Sequence, residues 1–298
     1  MAPEVASDAA AFVTGQVLYV DGGRTLVRTP LNDRFGGRMT AVFERFAGKT
    51  VLVTGAGTGF GAEIAVRAAR EGADVAVHYR GSREGAEATA GRVTALGRKA
   101  LVVRADISEH AQITRLAEEV WAHFGRLDVA VNNVGDVARE QMSWRDITEE
   151  SIDHVLAVDV KGTLLCTHEF GARMLDQEGG GAIVNIGSTV VVRGSARAPQ
   201  YAAAKYGIIG LTKSYAHAFA PKVRVNVFAP GFIETVATLG REDWKSGRGD
   251  MLRANTPMGR IPGPEELAGA ALFLATEDAG HITGGFLVAD GGYNMIGA

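Results

Sequence analysis

From residue 49 onward, short apolar runs alternate about seven times with stretches of helical spacing. This alternation limits the fold more than any other feature. The runs at 51–53, 75–77 and 129–131 are apolar without a break, so neither face of those strands is built to meet water. A sheet covered on both faces by the intervening helices satisfies that demand. Strands are expected at 49–54, 73–79, 100–104, 127–132, 181–186, 222–228 and 285–289. Helices are expected at 62–71, 84–96, 109–124, 149–175, 199–219 and 264–275. The fold class is α/β, a doubly wound parallel sheet with right-handed crossovers. Ligands of such sheets bind beyond the carboxyl ends of the strands, so the residues after each apolar run are the functional candidates.

Three such positions carry chemistry. After the first run comes Thr54-Gly55-Ala56-Gly57-Thr58-Gly59-Phe60-Gly61, leading into a helix. Glycines let the backbone approach a pyrophosphate, and a helix N-terminus offers free N–H groups and positive dipole. After the second run comes His78-Tyr79-Arg80-Gly81-Ser82-Arg83, with no acidic residue before Glu84. An acid there would select NAD through the ribose 2′-OH, whereas Arg80, Ser82 and Arg83 suit a 2′-phosphate and favour NADP(H). Tyr201 and Lys205 are four apart on an expected helix, so they share a face. A neighbouring ammonium favours the phenolate and fits Tyr201 as general acid toward a carbonyl oxygen, or base in reverse. Ser188, thirteen positions before Tyr201 and just past the fifth strand, can hydrogen-bond the same oxygen.

Together these motifs resemble the short-chain dehydrogenase/reductase family over about residues 46–298. TGxxxGxG appears at 54–61, and Asn132-Asn133-Val134-Gly135 is similar to the family's NNAG. Ser188 with Tyr201 and Lys205, then Pro230-Gly231 before Ile233 and Thr235, complete the series. The resemblance implies a Rossmann fold and an NAD(P)-dependent enzyme acting on CH–OH or C=O groups, NADP(H) preferred and NAD(H) retained as the alternative. It places Gly55, Thr58, Gly59, Phe60 and Gly61 at the pyrophosphate, and Asp106 with Ile107 at the adenine. Asn133 and Gly135 would line the cofactor. Tyr201 and Lys205 would also hold the nicotinamide ribose, with Pro230, Ile233 and Thr235 near the carboxamide. Arg80 falls where the family marks NADP(H) preference. Asp159 departs from the pattern, standing where an asparagine usually extends the proton relay to the lysine. A carboxylate there accepts but does not donate, and it favours the charged lysine, so altered pH dependence is expected. The family also implies a homotetramer. Within it, the chain is most similar to 3-oxoacyl-(acyl-carrier-protein) reductases, which implies a small-molecule or acyl-thioester carbonyl substrate. Alternatives are an NAD-linked dehydrogenase of a small polyol, sugar or cyclic alcohol, and, more remotely, a cofactor-binding regulatory protein with little turnover.

Composition narrows the remaining classes. Acidic and basic residues number 34 and 31, for a net charge of -3, which argues against nucleic-acid partners. No apolar run approaches the roughly 20 residues of a membrane helix, and residues 1–11 lack the basic region of a secretory signal. Cys166 is the only cysteine, so intramolecular disulfides are excluded and a cytoplasmic home is expected. Its place in an apolar helical pattern marks it as core. The 7 histidines show no metal-ligand spacing, so no metal is expected, and His78 reads as a turn residue near the adenosine site.

Two segments break the alternation. Residues 233–262 form a polar, glycine-bearing stretch containing Trp244, expected to be a substrate lid. Residues 12–23 resemble 281–292 at a constant offset of 269, as Thr14 to Thr283 and Asp21 to Asp290 show. Residues 1–45 are thus an N-terminal extension resembling a copy of the last strand, ahead of the catalytic domain at 46–298. It is read as a remnant in preference to an added edge strand.

Overall fold

The computed structural model describes residues 44–135 and 143–295. The segment that resembles the last strand lies outside the described residues. Among those described, seven strands form one parallel sheet in the order β3-β2-β1-β4-β5-β6-β7. They are β1 Thr50–Val53, β2 Asp74–Tyr79, β3 Ala100–Arg104, β4 Val129–Asn132, β5 Gly181–Ile186, β6 Val223–Pro230 and β7 Phe286–Ala289. The order reverses between β1 and β4, which puts the topological switch point, where such sheets bind ligands, beside the glycine-rich turn.

Helices cover both faces, as the uninterrupted runs require. On one face, α1 Gly59–Arg70, α2 Arg83–Ala95 and α10 Pro264–Phe273 pack on Val51, Val53, Val75 and Val77. On the other, α3 His110–Phe124, α5 Thr163–Asp176 and α7 Pro199–Phe219 pack on Leu52, Ala76, Ala130 and Ile183. Successive residues of one strand thus enter opposite cores, the period-two geometry of a pleated strand. Cys166 is fully buried in the second core, as its spacing implies. No helix among the described residues is long and apolar enough to cross a membrane.

The structure departs from the sequence reading in two places. The helix expected at 149–175 is three segments: α4 Glu149–Val155, a π-helical stretch Leu156–Gly162, and α5. Its junction residues Leu156 and Thr163 keep right-handed helical dihedrals, so the helical path continues while the hydrogen bonding widens. The stretch 233–262 is not a plain loop. It holds α8 Val236–Leu239, a π turn Trp244–Arg248 and α9 Gly249–Ala254. Trp244, Leu252 and Ile261 make a small core of their own, backed by Phe232 and Tyr293. A further short helix, α6 Val190–Arg193, follows β5.

Candidate active site

The glycine-rich turn is built by close backbone packing. A Cβ on Gly61 would lie 2.4 Å from the Gly55 carbonyl oxygen and 2.5 Å from Asn133 Nδ2, so no side chain fits there. Asn133 locks the turn from β4. Its N–H donates to Thr54 Oγ1 at 2.9 Å and its side-chain amide to the Thr54 carbonyl at 3.0 Å. The N-cap of α1, Thr58, makes no side-chain capping bond, and the first helical turn carries no acidic residue. The helix thus begins with positive dipole and N–H donors uncovered by a capping side chain, a setting complementary to a diphosphate.

His78 lies in β2, not in a turn, and is buried. The Gly55 N–H donates to its Nδ1 at 3.1 Å, and its Nε2 lies 2.9 Å from the Ala105 carbonyl oxygen. Its own carbonyl accepts from the Ala56 N–H at 2.9 Å. Burial pushes the imidazole down to about 4, against the opposing pull of the Ala105 carbonyl and Asp106. The ring is therefore neutral at ordinary pH, with Nε2–H donating to Ala105 and Nδ1 accepting from Gly55. One side chain ties the glycine-rich turn to the end of β3.

At the far edge of this site, the Arg80 guanidinium is exposed and 3.8 Å from Asp106. Asp106 sits below the usual carboxylate range. Burial raises it, but the Ser108 hydroxyl and N–H, with the charges of Arg80 and His154, outweigh that. Arg83, expected beside Arg80, instead turns along α2 to Glu87 at 2.8 Å. Arg104 takes its place in the neighbourhood, donating from Nε to the Arg80 carbonyl at 3.2 Å. Ile107 is buried, and a Cβ on Gly162 would come within 2.9 Å of its side chain.

The other half of the site gathers on β4 to β6. Ser188 follows β5, and its hydroxyl accepts from the Val190 N–H at 3.2 Å. On α7, the Lys205 ammonium lies 5.4 Å from the centre of the Tyr201 ring. It also donates to the Ile186 carbonyl at 3.3 Å and lies 2.6 Å from Asp159 Oδ1. The Lys205 and Asp159 side chains are 3% and 0% exposed. A Cβ on Gly135 would lie 2.8 Å from both charged atoms, so Gly135, Asp159 and Lys205 meet at one point. Asp159 reaches it from the π-helical stretch. At the end of β6, the Pro230 carbonyl accepts from the Thr189 N–H at 3.2 Å. The Thr235 methyl lies 3.6 Å from where a Cβ on Gly59 would stand, which sets the root of the 233–262 segment over the glycine-rich turn. Thr235 also caps α8, accepting from the Thr238 N–H at 3.1 Å.

Sequence reasoning missed the contacts of Thr54 and Arg104 and the role of the His78 ring. The β2–β3 register, which pairs Tyr79 with Arg104, is the signal that brings Arg104 to the site.

The chain is similar to several known oxidoreductases. Residues 55–294 match the family model described as Enoyl-(Acyl carrier protein) reductase. The chain is 39% identical over 256 residues to D-threitol dehydrogenase of Mycolicibacterium smegmatis, covering 84% of this chain and 95% of that one. It is 36% identical over 248 residues to the 3-oxoacyl-(acyl-carrier-protein) reductase of Staphylococcus aureus, covering 83% and 98%. Among solved structures, a short-chain dehydrogenase from Burkholderia cenocepacia in complex with NADP matches with a TM-score of 0.76 and 33% identity, over 84% of this chain and 99% of that one.

Proposed function

The chain belongs to the short-chain dehydrogenase/reductase family of oxidoreductases acting on carbonyl and alcohol groups, and from that premise we propose an NADP(H)-dependent carbonyl reductase with Tyr201 as its general acid. The observation that carries the reading is the buried Lys205 ammonium, held beside the Tyr201 ring at 5.4 Å.

The residues present fit the cofactor. The uncapped start of α1 suits a diphosphate, and the end of β2 offers Arg80 with Arg104 nearby instead of a carboxylate of its own. A 2′-phosphate would be met by guanidinium donors. The bound nicotinamide supplies the hydride in reduction and takes it up in oxidation. As the carbonyl oxygen gains negative charge, the Tyr201 hydroxyl transfers its proton to it. General acids of this kind contribute typically 10²–10⁴-fold. The Ser188 hydroxyl donates a hydrogen bond to the same oxygen, a preorganised stabilisation aimed at the developing charge. The Lys205 ammonium, paired with Asp159, favours the phenolate left behind. In alcohol oxidation the same groups run in reverse. A 3-oxoacyl thioester is the substrate favoured by the Staphylococcus aureus relative.

A second reading has its own support. Asp106 lies 3.8 Å from Arg80 and draws on its charge, and one relative is a D-threitol dehydrogenase. An NAD-linked polyol dehydrogenase would be consistent with both. Binding of NADPH and NADH to the parent and to Arg80→Ala separates the two. A preference for NADPH of tenfold or more, lost in Arg80→Ala, is the expected result. Equal or tighter NADH binding by the parent would overturn the NADP(H) assignment.

A further inference from the structure

In β2, His78 follows Val75, Ala76 and Val77, and all four are buried. An apolar side chain would serve the sheet at that position. A buried imidazole is costly unless its ring nitrogens find partners. Both do, and both partners are backbone groups beyond the carboxyl ends of the two strands that flank β2. Gly55, two residues past β1, gives its N–H to Nδ1 at 3.1 Å. Ala105, the residue after β3, presents its carbonyl oxygen to Nε2 at 2.9 Å. The strands do not need the ring for their alignment, because their own pairing runs as far as Val53 with Val77 and Tyr79 with Arg104. What the ring adds is a hold on the chain past the strand ends.

That hold falls where the backbone direction is most sensitive. Gly55 adopts φ +66°, in the left-handed region. Its N–H is taken by His78 from β2, and its carbonyl accepts from Asn133 Nδ2 at 3.3 Å, at the end of β4. The next N–H, of Ala56, goes to the His78 carbonyl at 2.9 Å. Such a conformation keeps a single orientation where its surroundings over-determine it. The turn fixed in this way leads within four residues into α1, whose uncapped N–H groups suit a diphosphate. On the other flank, Ala105 leads directly into Asp106 and Ile107, the pair expected at the adenine. Burial keeps the ring neutral, so Nδ1 remains an acceptor and Nε2 a donor at ordinary pH.

We propose that His78 is a positioning residue for the dinucleotide: one imidazole, tied to Gly55 and to Ala105, sets the separation of the glycine-rich turn from the adenine-facing segment and thereby the affinity for the adenosine diphosphate half of the cofactor. This role rests on the cofactor reading above and deepens it by naming what sets that affinity.

The test compares the full-length parent with His78→Asn, His78→Gln and His78→Leu. Asparagine places its oxygen near the position of Nδ1 and keeps the tie to Gly55. Glutamine reaches the position of Nε2 and keeps the tie to Ala105, whereas leucine keeps neither. Each protein is titrated calorimetrically at neutral pH with NADPH and with 2′-phospho-ADP-ribose, which lacks only the nicotinamide. Loss of one tie should raise the dissociation constant about tenfold, and loss of both should raise it further, so that asparagine and glutamine each rescue part of the leucine defect. Both ligands should lose by the same factor, because the loss sits in the half they share. A purely structural histidine would lower the urea midpoint of its variants and leave the dissociation constants of the folded proteins unmoved. Constants within about twofold of the parent in every folded variant, or a loss seen with NADPH but not with 2′-phospho-ADP-ribose, would overturn the role. If His78→Leu does not fold, the asparagine and glutamine variants decide by the same criterion. A parent that prefers NADH is tested with NADH and ADP-ribose, since the two dinucleotides share the adenosine diphosphate. A parent that binds neither dinucleotide refutes the cofactor reading and this role together, whereas a parent that binds one while the series stays flat refutes this role alone.

Discussion

Replacing Asp159 by asparagine removes a negative charge 2.6 Å from the Lys205 ammonium while keeping a side-chain oxygen able to accept its hydrogen bond. The consequence should appear at Tyr201. The ammonium lies 5.4 Å from the ring centre and favours the phenolate; the carboxylate lies behind it and takes part of that effect back. Asp159 is no more than about 8 Å from the ring centre, and at an effective dielectric of about 20 its charge opposes the phenolate by about 2 kcal/mol. Removing it should make the phenolate easier to form. Alcohol oxidation needs Tyr201 as base, so the rising basic limb of its rate should move to lower pH in Asp159→Asn. The assay is kcat/KM for oxidation between pH 5 and pH 10.5, parent against variant, with a fixed ionic strength. Asp159→Leu provides the stability arm. It leaves the buried ammonium with the Ile186 carbonyl and no counter-ion, a loss that costs about 3–5 kcal/mol in urea unfolding. Superimposable pH profiles for the parent and Asp159→Asn would refute the electrostatic link between the pair and the tyrosine.

Three further outcomes follow from geometry. Tyr201→Phe should lower kcat by about 10²–10⁴-fold with the fold intact by circular dichroism, while Ser188→Ala loses a smaller share; unchanged turnover in Tyr201→Phe would remove the tyrosine from the chemistry. His78 is neutral in the fold to about pH 4 but protonates near 6.5 when unfolded, so its stability contribution is complete above about 6.5 and falls as pH drops toward 4. The loss should reach about 3 kcal/mol in urea unfolding, and His78→Asn, which keeps an acceptor for Gly55 but does not titrate, should flatten that slope. Leu52→Ala, at a fully buried position of β1, should cost about 2–5 kcal/mol, and a change below 1 kcal/mol would show that Leu52 does not pack in the second core as described.

The sheet was legible because its strands are covered on both sides, so each announces itself as an unbroken apolar run. All seven expected strands are present, with edges shifted by a few residues at most. The placement of the motifs was legible too: Gly55 to Gly61 and Ser188 follow strands, and Tyr201 and Lys205 share α7, as the pattern implied. Asp159 was visible as an exception to a pattern, but its burial was not, because a π-helical stretch leaves the side-chain spacing of its sequence unmarked. The helices within 233–262 span four to six residues, too few for a period to register. His78 hid inside an apolar strand pattern.

The strand order also separates what natural variation or an engineer can adjust. Arg80 stands at the end of β2 and Ser188 at the end of β5, with β1 and β4 between them, so three strand spacings, roughly 14 Å, divide the two. Sites that far apart and without shared partners combine their effects almost additively. Under the proposed function, the choice of electron carrier and the choice of molecule to be reduced would therefore be two nearly independent dials on one scaffold. On that reading, a lineage would retune the first through a few residues around Arg80 and Arg104 while the segment beyond β6 explores new substrates, and neither search need undo the other.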